Sequence, residues 1–355
     1  MKIGNLDIGK KLILAPMAEV TDSSFRKICK ELGAGLTFTQ MLSAHGVVNN
    51  DFDTLRFLSF NRSEKPIGVQ MLGNDAEVLG EAVKEISRFK PDLIDLNCGC
   101  SVEKVVSQNL GAALLDDPKK IGVIVRKMVD SSGGIPISIK IRLGKDKTRI
   151  NVLEIAKILE DNGGSLIFIH ARTRADKYDS DVDLDWLEKA KKSVNIPVVG
   201  NGSIFTPQDA QELLEKTGCD SAMIARGALG NPFLFERFNI LMETGEDPGE
   251  PDVVRVKEIL LKQITFIESE HGEPICLDRV KKNTVWYFRN LPGIELLLKS
   301  IFSFTSVSSV RSFIEEHTEK ILTGRYPVVS NVVINKNFKK KVLFWLEEEK
   351  VEELG

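Results

Sequence analysis

Short apolar runs recur along the chain at intervals of about 25 to 30 residues, and each ends in something small or polar. Leu12-Ile13-Leu14-Ala15 leads into Pro16-Met17, and Leu36-Thr37-Phe38-Thr39 into Gln40-Met41. Ile67-Gly68-Val69 ends in Gln70, and Leu93 to Leu96 ends in Asn97. Ile137-Ser138-Ile139 ends in Lys140-Ile141-Arg142, and Leu166-Ile167-Phe168-Ile169 in His170. Pro197-Val198-Val199 gives way to Gly200-Asn201-Gly202, and Ala222 to Ala225 to Arg226-Gly227. Amphipathic stretches of helical spacing lie between most of them, for example residues 76–89 and 206–218. In the second, Thr206 is placed to cap, Pro207 fits the first helical position and Gly218 ends it.

Continuous apolar strands alternating with helices predict a parallel sheet covered on both faces. Eight such units predict an α/β fold of the (β/α)8 TIM barrel type. A doubly wound open sheet is the rival, but there the chemistry would gather at one switch point. Here polar residues follow nearly every strand. A barrel would bring Gln70, Asn97, Cys100, Lys140, Arg142, His170, Asn201 and Arg226 to one rim, where barrel active sites sit. The barrel is expected over residues 1–241. The acidic stretch rich in Gly and Pro at 242–254 reads as a linker, and residues 255–355 read as a helical domain with a C-terminal tail.

Composition changes this picture little. Of 355 residues, 42% are apolar and 28% charged, which is ordinary for a soluble globular protein. Nothing approaches the roughly 18 apolar residues of a membrane span, and no secretory leader is evident, so the chain is expected to be cytoplasmic and to act without a membrane. Five scattered cysteines argue against a disulfide framework. The net charge of −3 disfavours attraction of the whole protein to nucleic acid. From Arg255 to Trp345, however, fifteen Lys and Arg face nine Asp and Glu, and they include Lys281, Lys282, Arg289 and the run Lys339-Lys340-Lys341. That balance allows a local basic surface for an RNA backbone, or simply a solvated helix face. Trp286, Tyr287 and Phe288 are consecutive and cannot share one helix face, so at least one belongs in a core.

The rim residues leave several chemistries open. The loops after the seventh and eighth strands, Gly200-Asn201-Gly202-Ser203 and Ala225-Arg226-Gly227, suit a phosphate, because glycine lets backbone N–H groups approach an anion and arginine adds a fork. Lys140 could stabilise negative charge on an electron-accepting ring such as a flavin, or form a Schiff base as in barrel aldolases. His170 could contact a bound group or pack with one nitrogen satisfied. Cys98-Gly99-Cys100 lacks the partners of a zinc site, so no metal is expected. A thiol is a competent general acid near neutral pH, the role favoured for Cys100, with Cys98 as packing.

Eight segments in order resemble the tRNA-dihydrouridine synthases, FMN-dependent oxidoreductases acting on a CH–CH bond. They are LAPMAEVTDSSFR (14–26), VQMLG (69–73), DLNCGCSVEKVV (95–106), GAALLDDP (111–118), KIRLG (140–144), HARTRADKY (170–178), GNGSIFTPQDA (200–210) and ARGALGNPFLF (225–235). VKKNTVWYFRNLPG (280–293) resembles the family's helical domain. The resemblance implies FMN across the barrel mouth, with Pro16 and Met17 lining its ring. It implies that Gln70, Lys140 and His170 contact the ring or ribityl chain, and that Asn201, Gly202, Arg226 and Gly227 hold the phosphate. Asn97 and Arg142 would orient the target uracil, Cys100 would donate the proton, and Arg172 and Tyr178 would lie on the substrate side. The implied partners are tRNA and NADPH, with the protein acting as a monomer. No G-x-G-x-x-G stands out, so the nicotinamide would visit the flavin in turn.

Three departures stand out. The family's Gly-Cys-Pro reads Gly99-Cys100-Ser101, which removes a fixed φ from the thiol loop. The segment after Tyr178, DSDVDLDW, is acidic for a neighbour of RNA phosphates. Residues 322–355 match nothing in the family. A reductase of free pyrimidines, an RNA-binding protein that has lost catalysis and a flavin-free aldolase are the alternatives.

Overall fold

The computed structural model describes residues 1–325, other than 5, 10, 295, 296, 298 and 299. The run Lys339-Lys340-Lys341 and the tail from residue 326 on therefore lie outside the described residues. The chain divides into two compact units. One comprises residues 1–228 and 232–249, the other residues 229–231 and those from Glu250 on.

The first unit is a (β/α)8 barrel. Its strands are β1 (Ile13–Leu14), β2 (Thr37–Phe38), β3 (Ile67–Leu72), β4 (Leu93–Cys98), β5 (Ile137–Arg142), β6 (Leu166–His170), β7 (Val198–Asn201) and β8 (Ser221–Ile224). Neighbours pair in parallel from β2 through to β8, and β8 returns to β1. The ring closes through a bridge between Ile13 and Leu36, with the Leu14 N–H donating to the Leu36 carbonyl at 2.9 Å. A short extra strand, Leu42–Ser43, pairs with the upper end of β3.

Several strands are longer than their apolar runs. Lys140 and Arg142 are strand residues, as are Gln70, Asn97, His170 and Asn201. The reason is side-chain parity. Successive residues of a strand point to opposite faces. In β5 the odd positions Ile137, Ile139 and Ile141 are buried and belong to the face under the helices, while Ser138, Lys140 and Arg142 share the opposite, inner face. A polar side chain therefore does not end the strand, provided it points inward near the open end.

The lower half of the interior is apolar. Ile13, Ala15, Leu36, Phe38, Leu93, Leu166, Phe168, Val199 and Met223 form one buried cluster, joined by Ile3 and Ile8. Ile3 lies in a two-stranded hairpin, Lys2–Ile3 with Leu6–Asp7, so this N-terminal segment plugs the floor. Phe38 and Phe168 meet edge to face, with centroids 5.4 Å apart. Gly68 makes room for them. A Cβ there would lie 2.3 Å from Phe38 Cε1.

The sequence-predicted linker is partly barrel. The helix Phe233–Thr244 takes its first residues. Beyond it, Asp247 accepts from Arg237 Nε at 2.9 Å and Nη2 at 2.7 Å, and from Gln208 Nε2 at 3.0 Å. The boundary between the units falls after Gly249.

In the second unit, helices Val253–Glu270, Ile275–Phe288 and Val307–Leu322 pack together. Trp286, Tyr287 and Phe288 are all buried, and so are Asn283 to Val285. From Asn283 to Phe288 this helix is buried on every side, and there the face constraint that would have exposed one of the three aromatics is lost. Two of its polar residues are matched internally: Tyr287 Oη donates to Gln263 Oε1 at 2.7 Å, and Gln263 Nε2 to Asn283 Oδ1 at 3.0 Å. Of the cations expected on a basic face, Lys282 lies over the Trp286 ring at 5.3 Å. Burial pushes Arg289 down to about 10.

Gly68→Ala is expected to lower unfolding stability by about 1–3 kcal/mol, because the Phe38 ring has no free volume to move into. Denaturant unfolding with an unchanged m-value is the measurement.

Candidate active site

The register sets the polar inward residues side by side. Gln70 faces Asp95 across β3 and β4, and Asn97 faces Lys140 across β4 and β5. His170 lies between Arg142 on β5 and Asn201 on β7. Gln70, Asn97, Lys140, Arg142, His170 and Asn201 thus lie on neighbouring strands near the same end of the barrel.

Asn97 organises the thiol loop. Its Oδ1 accepts from the N–H groups of Gly99 at 3.0 Å and Cys100 at 2.9 Å. Its Nδ2 donates to Gln70 Oε1 at 2.9 Å and contacts Met41 Sδ at 3.2 Å. The loop's carbonyls are held as well. Arg142 Nε donates to Gly99 O at 3.0 Å, and Ala112 N to Cys100 O at 2.9 Å. Gly111 backs the loop at a φ of +59°, and a Cβ there would meet Cys100 O at 2.8 Å. These contacts define the loop with Ser101 where the family has proline. Cys100 is partly exposed, whereas Cys98 on β4 is fully buried. Burial pushes the Cys98 thiol well above its ordinary range, so it stays protonated and unreactive.

Four cations crowd the mouth. Arg142 Nη1 donates to Thr173 O at 2.8 Å. Arg172 is buried, and its guanidinium is committed to Ser180 O at 2.9 Å, Ser203 Oγ at 2.7 Å and His170 Nε2 at 3.1 Å. It therefore ties the loop after β6 to the loop after β7. Arg226 Nη2 donates to Tyr178 O at 2.8 Å, and its guanidinium lies over the rings of Tyr178 and Phe205. Tyr178 is half-exposed, with Arg142 5.5 Å from its ring centroid and His170 stacked at 6.3 Å.

Burial and the surrounding positive charge shift the titrating groups. Desolvation first, then Arg142, lowers Lys140 to about 8, against the opposing pull of Asp95 and Cys100. Desolvation and the cations Lys140, Arg142, Arg172 and Arg226 hold His170 well below its usual range. It is therefore a neutral imidazole. A guanidinium only donates, so the Arg172 contact makes Nε2 the acceptor and leaves the proton on Nδ1.

Asp95 escaped the sequence reasoning. It is fully buried in β4, two residues before Asn97. Ser138 Oγ donates to its Oδ1 at 2.6 Å and Gln70 Nε2 to its Oδ2 at 2.7 Å. Desolvation raises it to about 6, partly countered by these bonds and by Lys140. The signal was present as parity: once Asn97 and Lys140 are inward, Asp95 and Ser138 must be as well.

The seventh and eighth loops form a cradle for an anion. Gly202 has φ +138° and would place a Cβ 2.7 Å from Val182 Cγ1, while Gly227 would place one 2.0 Å from Ile204 O. Ser203 is also left-handed, at φ 54°. Two glycines with no room for a side chain, one against the His170 ring and one next to Arg226, fit the phosphate of a flavin nucleotide. Asn201 is internally committed, donating from Nδ2 to Met223 O at 2.7 Å. Pro16 and Met17 follow β1 at the same rim and are half-buried, and the Met17 N–H donates to Thr21 Oγ1 at 3.1 Å. Of the acidic segment, Asp179 and Asp181 lie close enough to the mouth to act on Arg226 and Arg172. Asp181, Asp183 and Asp185 line a 490 Å³ crevice with Leu143 and Ala171, whose parity puts it outside the ring of strands. Asp176 caps its own loop, accepting from Thr173 N and Oγ1 at 2.8 Å. Among the described residues no cluster of His, Cys, Asp and Glu could hold a metal, and no helix is long and apolar enough to cross a membrane.

Solved structures with this architecture include histamine dehydrogenase from Rhizobium sp. 4-9 (TM-score 0.53, 15% identity), whose match covers 75% of this chain and 50% of that one. A morphinone reductase aligns at TM-score 0.50 and 11% identity over 72% of this chain and 92% of its own, and these likenesses concern the fold alone. The model of the dihydrouridine synthase family matches residues 13–321, and the chain belongs to that family. The tRNA-dihydrouridine synthase B of Pseudomonas putida is 35% identical over 294 residues, 82% of this chain and 87% of the relative. A probable tRNA-dihydrouridine synthase of Rickettsia conorii is 33% identical, covering 82% and 88% respectively.

Asp95 makes a pH prediction. Its folded-state value lies above the ordinary 3.8, at about 6. The folded state thus holds the proton more tightly, and this group's contribution falls as pH rises from 3.8 through 6. Asp95→Asn should remove that fall, flattening the stability profile by about 3 kcal/mol across the window, as read by denaturant unfolding at stepped pH.

Proposed function

We propose that this protein reduces the C5=C6 bond of specific uridines in tRNA to 5,6-dihydrouridine, with FMN as resident cofactor, NADPH as reductant and Cys100 as proton donor. The observation that carries this is the placement of one partly exposed thiol on a rigid loop at a cationic barrel mouth, in a chain of the dihydrouridine synthase family. The names of the curated relatives support tRNA as the substrate. Such chemistry fits a cytoplasmic enzyme.

Gly202, Ser203, Arg226 and Gly227 would hold the FMN phosphate, and Lys140 with the Nδ1–H of His170 would face its polar ring edge or ribityl chain. Bound there, the flavin supplies the reducing equivalents for the double bond. The chain's own residues supply the proton and the geometry. Saturating C5=C6 requires a proton at C5, and Cys100 carries one on Sγ. Lys140, inward on the strand beside the one that leads into the thiol loop, supplies a positive charge opposite the thiolate left behind. Solvent then returns a proton to the sulfur. Arg142 holds the thiol loop at Gly99 O, and its guanidinium also lies beside Tyr178 at the substrate side of the mouth. Reaching this site obliges the target nucleotide to leave its stack, at a cost of a few kcal/mol. Tyr178, half-exposed between Arg142 and Arg226, offers an aromatic surface against which neighbouring RNA can rest.

Purified protein should be yellow, and Cys100→Ala should keep FMN and its reduction by NADPH. Dihydrouridine formed in tRNA, measured by nucleoside mass spectrometry, should fall by about 10²-fold or more. Cys98→Ala should stay near the wild-type rate. The reverse pattern would remove Cys100 from its role, and equal activity on free uracil would remove tRNA from the proposal.

A further inference from the structure

Beneath the thiol loop runs a single hydrogen-bonded line. Asp95 Oδ2 accepts from Gln70 Nε2 at 2.7 Å, and Gln70 Oε1 accepts from Asn97 Nδ2 at 2.9 Å. Asn97 Oδ1 in turn accepts from Gly99 N and Cys100 N, at 3.0 and 2.9 Å. Each amide in this line has one oxygen and one nitrogen, and either end could point either way. A carboxylate has no such choice, because it only accepts. Asp95 thereby fixes the nitrogen of Gln70 toward itself, which turns the Gln70 oxygen toward Asn97. Asn97 must then offer its nitrogen to Gln70 and its oxygen to the loop.

We propose that Asp95 is a positioning residue for Cys100, using its acceptor oxygens to set the orientation of two side-chain amides in series and so to hold the turn that carries the thiol. Were Asn97 reversed, its NH2 group would face the N–H groups of Gly99 and Cys100, donor against donor. The loop would then keep only its carbonyl-side ties to Arg142 and Ala112. Ser138 completes the anchor by filling the other carboxylate oxygen at 2.6 Å, which leaves Asp95 no freedom to rotate. Asp95 is fully buried, and its hydrogen-bonded path to the thiol loop runs through Gln70 and Asn97; its charge also acts on Lys140, which is why the test separates acceptor from charge.

The catalytic consequence rests on Cys100 being the acid of the proposed reaction, but the ordering of the loop does not. Two substitutions separate acceptor from charge. Asp95→Asn keeps one acceptor oxygen for Gln70, while Ser138 rotates to accept from the new NH2 group. Asp95→Leu, of similar size, keeps none. The readout is hydrogen–deuterium exchange of the protein without substrate, followed in the peptide containing Gly99 and Cys100. Asp95→Leu should speed exchange there about tenfold or more while the helix Val253–Glu270 is unchanged, with Asp95→Asn within about twofold of wild type. Dihydrouridine formation should follow the same order, with kcat falling about tenfold in Asp95→Leu and little in Asp95→Asn. Wild-type exchange in both variants would overturn the proposal, and so would equal damage in both, since that would assign the role to charge. Should Asp95→Leu not fold, Gln70→Met breaks the same line at its centre and must also speed exchange in this peptide, and wild-type exchange there would be equally decisive. If exchange follows the expected order while Cys100→Ala forms dihydrouridine normally, the proposed acid fails and the positioning role stands.

Discussion

The interior of an eight-stranded barrel is just wide enough to be filled by its own side chains, and this constraint shapes the whole of the first unit. Every second residue of every strand must enter that space. In the lower half they are apolar and interlocked, down to Gly68 yielding its side chain to Phe38. In the upper half they are polar, and each must find a partner among the others because water is scarce there. The site is thus the top of the core, and its polar groups are as tightly specified as the apolar ones below.

The charge arrangement follows from the same crowding. Lys140, Arg142, Arg172 and Arg226 are gathered around His170, and Asp95 lies beneath them. Loss of water first, and then repulsion from these cations, holds His170 in its neutral form. The result is a mouth that is positive overall yet contains a neutral donor, a combination suited to an anionic group with polar oxygens nearby. Arg172 adds to the field without reaching outward, because two loops occupy its guanidinium.

Much of this was legible in the residues. Polar groups interrupt apolar runs at Gln70, Asn97, Lys140 and His170, and the structure sets these side by side. What stayed hidden lay one step inside each interruption. Asp95 and Ser138 sit within apolar runs and look incidental until inward parity is applied from the strand end backward. The commitment of Arg172 was unreadable for another reason, since Ser180 and Ser203 come from different loops and sequence spacing does not show their meeting. In the helical unit, face periodicity spoke for at most part of Trp286-Tyr287-Phe288, and burial of all three reflects neighbours on every side. Asp247, acidic and close to Gly and Pro, reads as linker from its neighbours in sequence, and only the structure shows that Arg237 holds it.

The floor plug has a bearing on how the chain comes to be assembled. Ile3 and Ile8 come before every strand of the ring in chain order, yet the surface they cover includes Phe168, Val199 and Met223, which are made far later. Until the ring closes between Ile13 and Leu36, with β8 alongside, these leading residues have no enclosed floor to seal. The hairpin is therefore among the last parts of this unit to reach its place, and until the ring closes its apolar side chains await shelter.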